Sequence, residues 1–189
     1  MQTLENLTKS FIEESQARNR YTFYASKARK EGYEQIAEIF EITAGNEIEH
    51  AETLFKFIQK LRGKTDELTV DAGAILILGD TAENLKAAIA GEHYETTTMY
   101  PSFAKVADEE EYHDIADNLR AIGSVEKHHE ERYAKLLNLV EKGKVFKREE
   151  EAVWVCRKCG YVHRGKTPPD TCPSCGHTKN FYQRLCEEY

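Results

Sequence analysis

The chain has 189 residues, a formal charge of −7 and 31% charged residues, so it is long enough for one or two domains with a substantial core. Acidic and basic residues are dispersed along helical patterns, which leaves no basic footprint for nucleic acid or an anionic membrane, and neither partner is expected. Met1-Gln2-Thr3-Leu4-Glu5 has no basic stretch leading into an apolar run, no segment approaches the roughly 18 apolar residues of a membrane span, and a soluble, cytoplasmic protein is expected.

Residues 4 to about 30 predict a first helix with an inward seam of Leu4, Leu7, Phe11, Glu14, Arg18, Tyr21, Ala25 and Ala28. Gly32 marks a turn, and a second helix follows from about 33 to 62 with Gly63 as its stop. A turn this short makes the two helices antiparallel neighbours. The second seam runs Ile36, Phe40, Thr43, Glu47, His50, Leu54, Phe57 and Leu61. Glu47 and His50 are three residues apart, so they share one helix face, and they occupy positions where apolar residues are otherwise the rule. Residues 63–79 include Leu68-Thr69-Val70 and Ala74-Ile75-Leu76-Ile77-Leu78. They read as a crossover connection along the side of a bundle in preference to a strand. A third helix is expected from Thr81, as N-cap with Asn84 three residues on, to about 109, and a fourth from about 112 to 142.

The fourth seam is Ile115, Leu119, Ile122, Glu126, His129, Tyr133, Leu136 and Val140, and each member lies 79 residues after its partner in the second helix. Upstream, Glu92 lies 78 residues after Glu14, whereas Tyr100 lies 79 after Tyr21. One extra residue therefore sits between Glu92 and Tyr100, inside a helix, and a π-bulge would accommodate it. Glu14 and Glu47 are centred on position 30.5, at the Gly32 turn, and Glu92 and Glu126 on position 109, within the turn at 108–111. Equal rise per residue puts the acids of each pair at one level, and two-fold packing of the repeats would bring all four together. Buried ions without partners cost several kcal/mol each. Such acids must hold cations or stay protonated. Glu95, one turn beyond Glu92, makes five carboxylates with two imidazoles. Two divalent ions would leave a charge of −1 and two trivalent ions +1, so the site would stay near neutral through a two-electron cycle.

Residues 144–152 read as a charged linker. After it come Cys156-Arg157-Lys158-Cys159 and Cys172-Pro173-Ser174-Cys175, two Cys-x-x-Cys pairs suited to one tetrahedral sulfur site. Spacing does not separate zinc from iron there. A domain of residues 153–189 is too small to fold dependably without that metal. Cys186 is left over and reads as an incidental thiol. His93, His113, His128, His163 and His177 read as surface or packing residues, and Glu13 and Glu49 as solvent-facing.

Glu14, Glu92, Glu47-x-x-His50 and Glu126-x-x-His129 are the ligand set of ferritin-like di-iron bundles, with one Glu from each of two helices and Glu-x-x-His from each of the others. With Glu14-Ser15-Gln16-Ala17-Arg18-Asn19-Arg20-Tyr21, Gly91-Glu92-His93-Tyr94-Glu95 and Met99-Tyr100-Pro101-Ser102-Phe103, the chain closely resembles rubrerythrin over nearly its full length. The tail, through Cys-Gly-Tyr and Cys-Pro-x-Cys-Gly, is similar to rubredoxin.

The resemblance implies a mainly α fold: a ferritin-like four-helix bundle over 1–143 with one long crossover, then a small rubredoxin-like metal-bound β-ribbon domain. It implies three iron ions per chain. Glu47 and Glu126 would bridge the iron pair, Glu14 would be terminal on one iron, and Glu92 and His129 would sit on the other. His50 would exchange with Glu95 as the oxidation state changes, and Tyr21 and Tyr100 would hydrogen-bond toward the ligands. The activity implied is reduction of hydrogen peroxide to water. Electrons would pass through the Cys156, Cys159, Cys172 and Cys175 iron from an external NAD(P)H-linked reductase. Family members form homodimers, and the crossover would permit helix exchange between chains. Two other readings of the sequence stay open: a ferroxidase or iron-storage protein, and a bundle carrying a structural zinc ribbon.

Overall fold

The computed structural model describes residues 1–63 and 67–187. Helix α1 spans Gln2–Lys30 and α2 spans Glu34–Arg62. Gly32 turns between them at φ +85°, and Gly63 ends α2 at φ +60° with its N–H on the carbonyl of Gln59. Both backbone positions lie in the left-handed region that glycine enters without steric cost. Helix α3, Thr81–Tyr94, continues through a π segment, Glu95–Met99, into α4, Tyr100–Glu109. The one-residue insertion inferred from the repeat is thus taken up as a π segment. Helix α5 spans His113–Glu141 and closes the four-helix bundle. None of these helices is long and apolar enough to cross a membrane.

The start of α3 differs from the expected one. Asp80, not Thr81, is the N-cap: its side chain accepts from the Glu83 N–H at 2.8 Å, and Glu83 Oε2 accepts from the Asp80 N–H at 2.8 Å. An acid can fill the capping-box role as well as a hydroxyl can. Asn84 instead clasps Gly79 from both sides, and Thr81 donates to Glu31 at the end of α1. The inward face of α1 also drifts from the strict heptad, because a straight helix turns every 3.6 residues and not every 3.5. Ala17 and Tyr21 are buried there, while Arg18 points outward and Arg20 is drawn in.

Residues 67–79 form neither helix nor strand and run along α1. Gln16 donates to the carbonyl of Gly73 at 3.0 Å and Tyr24 to that of Ile77 at 2.8 Å. Their backbone is pinned, but Leu76, Ile77 and Leu78 remain exposed, so the connection covers less of the bundle than its apolar run suggests.

The C-terminal sheet has the order β2-β1-β3, with β1 (Ala152–Cys156) paired antiparallel to β2 (Val162–Gly165) and β3 (Tyr182–Arg184). Trp154, Cys156, Cys172 and Tyr182 form its small core. The preceding segment is less free than a charged linker implies. Phe146 stacks on Tyr33 with centroids 6.2 Å apart, and the Arg148 guanidinium lies 5.4 Å from the Trp154 ring centre. Arg157 pairs with Glu38 of α2 at 2.5 Å, so the module docks at the α1–α2 turn.

A Cβ on Gly32 would lie 2.6 Å from Asn180 of the module, whereas one on Gly63 would meet nothing within 4 Å. Gly63→Ala is expected to cost about 1–2 kcal/mol from backbone strain alone. Gly32→Ala should carry the same backbone strain and in addition push the Asn180 side-chain amide out of the docking contact, and thermal unfolding of the two variants side by side compares them.

Candidate metal centres

Four helices and the π segment aim their acids at one level of the bundle. Glu14 comes from α1, Glu47 and His50 from α2, Glu92 from α3, Glu95 from the π segment, and Glu126 and His129 from α5. All are buried except His50, whose side chain is 13% exposed. Two groups of donor atoms each lie within 4.8 Å of one another: Glu14, Glu47, His50 and Glu126, and then Glu47, Glu92, Glu126 and His129. Glu47 and Glu126 belong to both. His50 Nδ1 is 3.0 Å from Glu47 Oε2 and 2.9 Å from Glu126 Oε1. His129 Nδ1 is 3.3 Å from Glu47 Oε1 and 2.8 Å from Glu126 Oε2. Each shared carboxylate therefore turns one oxygen to each imidazole.

These atoms lack other partners. Glu14 Oε2, both oxygens of Glu47 and of Glu126, Glu92 Oε2, Glu95 Oε1 and Nδ1 of both histidines are buried without a hydrogen bond. So many orphaned donors converging on two points is what a pair of cations would satisfy, and carboxylate with imidazole suits iron. Protons otherwise have to carry the positive charge. Burial pushes Glu14 and Glu92 up to about 8, against the nearby histidines and with the surrounding carboxylates. Burial works against the imidazolium forms, but Glu126, Glu14 and Glu47 outweigh it at His50 and lift that group to about 12. Glu126, Glu47 and Glu92 similarly lift His129 to about 11. A divalent cation among the same atoms replaces those protons.

Two phenols orient two of these carboxylates across the two-fold. Tyr21 on α1 donates to Glu92 Oε1 at 2.5 Å, and Tyr100 on α4 donates to Glu14 Oε1. Each leaves the second oxygen of its acid facing the centre, as outer partners of metal ligands commonly do. Glu95 stands apart from both donor groups. It is 3% exposed, and burial, followed by Glu14, Glu92, Glu126 and Glu47, holds it well above the usual carboxylate range.

Other acids and histidines behave more plainly. His93 and His113 are exposed and pair with Glu130 and Asp108, and Glu49 faces solvent. Glu13 does not face solvent: it is half-buried and pairs at 3.1 Å with Arg20, whose inward turn the heptad concealed. Tyr133 has a larger place than its seam position suggested, with its ring 5.5 Å from that of Tyr21.

At the far end of the chain, the thiols of Cys156, Cys159, Cys172 and Cys175 lie within 4.8 Å of one another and none is in a disulfide. The Cys156–Cys175 and Cys159–Cys172 sulfurs are 3.7 and 3.6 Å apart. A tetrahedral ion with metal–sulfur bonds of about 2.3 Å requires edges of about 3.8 Å. Cys186 is exposed and outside the set.

A family model described as Rubrerythrin matches residues 5–137, and one described as Rubrerythrin, rubredoxin-like domain matches residues 154–183. Rubrerythrin-1 of Clostridium acetobutylicum is 50% identical, over 99% of this chain and 96% of the relative. Rubrerythrin of Nitratidesulfovibrio vulgaris is 45% identical, over 97% of this chain and 94% of its own length. A solved structure of nigerythrin in a mixed-valence state aligns with a TM-score of 0.66 at 31% identity, covering 97% of this chain and 86% of that one.

The carboxylate pair of sites and the four-cysteine site together are consistent with three iron ions per chain. Cys172→Ser is expected to lower the iron content from three to two and to abolish the visible absorption of the sulfur site. The far-UV signal of the helices should stay in place, and metal analysis with circular dichroism checks both.

Proposed function

The chain belongs to the rubrerythrin family, and on that premise we propose that it reduces hydrogen peroxide to water at the carboxylate–histidine centre. Glu47 and Glu126 would bridge the two irons, with Glu14 and His50 on one and Glu92 and His129 on the other. The observation that carries this reading is the pair of shared carboxylates, each turning one oxygen to either imidazole. The bound iron pair supplies the two electrons and the Lewis acidity that cleave an O–O bond.

The chain's own residues would manage position and protons. Tyr21 and Tyr100 hold Glu92 and Glu14 in place. Glu95, buried among four other acids that with burial favour its protonated form, would be the group that passes a proton to the departing oxygen. On the family resemblance it would also exchange with His50, the more exposed of the two imidazoles. Two protons and two electrons convert one peroxide into two waters.

Electrons would arrive through the Cys156, Cys159, Cys172 and Cys175 iron from an external NAD(P)H-linked reductase. Iron storage needs no such one-electron donor, so the attached module favours peroxide reduction over that use. The route within one chain is long. The module docks at the α1–α2 turn, and Glu47 comes 13 residues after Glu34 at the start of α2, about 20 Å along the axis at 1.5 Å per residue. Electron tunnelling falls off exponentially with distance, so the reading includes a homodimer in which one chain's module would serve the other chain's centre.

The iron-loaded protein, given a reductase and NADH, is expected to consume peroxide in proportion to NADH oxidised. No consumption would overturn the reading, and iron taken up far beyond three atoms per chain would point to storage instead. Glu95→Ala is expected to slow turnover about 100-fold, the scale of one lost proton donor, with an unchanged unfolding midpoint.

A further inference from the structure

The two halves of the bundle part company in their aromatic residues. Tyr21, which holds Glu92, lies 5.5 Å from Tyr133 and 6.1 Å from Tyr24 between ring centroids. Phe40 closes the cluster at 5.9 Å from Tyr21, 5.5 Å from Tyr24 and 5.0 Å from Tyr133. All four are buried. In the other half of the repeat the equivalent positions hold Tyr100, Phe103, Leu119 and Leu54. Among the described residues, no ring contact is made by Tyr100. Only one of the two phenols bound to a ligand carboxylate is therefore continued by further phenols. One of these, Tyr24, donates its hydroxyl at 2.8 Å to the carbonyl of Ile77, a residue that is 51% exposed. The cluster leads from the metal-binding level to the surface.

Packing alone does not account for the hydroxyls. Phenylalanine would fill the same space, and a buried hydroxyl without a partner, as at Tyr133, costs about 1–3 kcal/mol. What phenols add to phenyl rings is the capacity to lose one electron and one proton.

We propose that Tyr21 and Tyr24, packed against Phe40 and Tyr133, form an escape route for oxidising equivalents when a further peroxide reaches the already oxidised metal centre and no donor electron arrives, each of its two equivalents leaving by one passage along the route. This rests on the peroxide-reducing reading of the centre. Tyr21 gives one electron to the oxidised centre, and its phenolic proton crosses the 2.5 Å bond to Glu92. Tyr24 then gives one electron to the Tyr21 ring, which regains its proton from Glu92, and Tyr24 releases its own proton to solvent at the exposed connection. The buried Tyr24 phenoxyl takes one electron from a low-molecular-weight thiol held at the exposed connection, the thiol's proton replaces the one Tyr24 released, and two of the resulting thiyl radicals couple as a disulfide. The metal ligands are spared because the oxidation ends on an expendable external thiol.

The test uses the full-length, iron-loaded, reduced protein with excess hydrogen peroxide, without reductase or thiol. Freeze-quenched samples are read by electron paramagnetic resonance, and parallel samples are treated with a nitrone spin trap and mapped by peptide mass spectrometry. A tyrosyl signal and a trap adduct at residue 24 are expected. Tyr24→Phe should lose that adduct and accumulate oxidation at His50 or His129 after less peroxide, with donor-supported turnover and the unfolding midpoint unchanged. Peroxide consumption by the unmodified protein with neither signal nor adduct would overturn the escape route alone. Identical adducts and histidine damage in Tyr24→Phe would do the same. Absence of any peroxide consumption would sink both the route and the reading beneath it.

Discussion

Everything in the bundle answers to one electrostatic problem: five carboxylates sit in an apolar interior where almost none of their inward oxygens has a hydrogen-bond donor. Removing an ion from water costs several kcal/mol even after the protein relaxes. The helices can only pack this way if positive charge is delivered to the same level. Protons on His50 and His129 and on the raised acids can supply it, but metal ions do so while meeting the orphaned oxygens of Glu14, Glu47, Glu92 and Glu126. The apolar layers above and below, one around Tyr21, Phe40 and Tyr133 and the other around Leu7, Leu54 and Leu119, hold that level at fixed height. Their packing energy offsets the cost of the polar slab between them.

The C-terminal module is held to the bundle by few contacts of its own. Its fold depends on one ion, as its core is little more than Trp154, Tyr182, Ala152 and two of the cysteines. Stacking of Phe146 on Tyr33 and the Arg157–Glu38 pair fix where it sits relative to α1 and α2. An exposed ion pair contributes little by itself. The aromatic stack and the close approach of Gly32 to Asn180 carry more of the placement.

Much of this was legible in the residues because metal binding demands fixed spacing. Glu47 with His50 and Glu126 with His129 can share a face only at three or four residues apart, and a repeat of that spacing is improbable as packing noise. The extra residue before Tyr100 was equally plain, since it showed as a change of offset from 78 to 79. What resisted reading was whatever depends on helix phase over long stretches or on partners distant in sequence. Arg18 and Arg20 exchange places because a heptad template slips against a real helix. Glu13 is tucked against Arg20 for the same reason. The cap at Asp80 was missed by one position, because Thr81 and Asn84 offered a competing pair with the right chemistry. Leu76 to Leu78 look like core by hydropathy, yet only their backbone is engaged.

The π segment also bears on why this site is built from one long chain and not from two short ones. Two identical helical hairpins meeting on a two-fold would already supply four acids and two histidines. They would supply them with perfect equivalence, so nothing could distinguish one metal position from the other. An extra residue in both hairpins would add two further acids, and in neither would add none. Tandem fusion removes that constraint: one half keeps Ala17 three residues after Glu14, while the other carries Glu95 three residues after Glu92. Fusion is thus what permits an odd number of acids, and with it a site whose two ends are no longer equivalent.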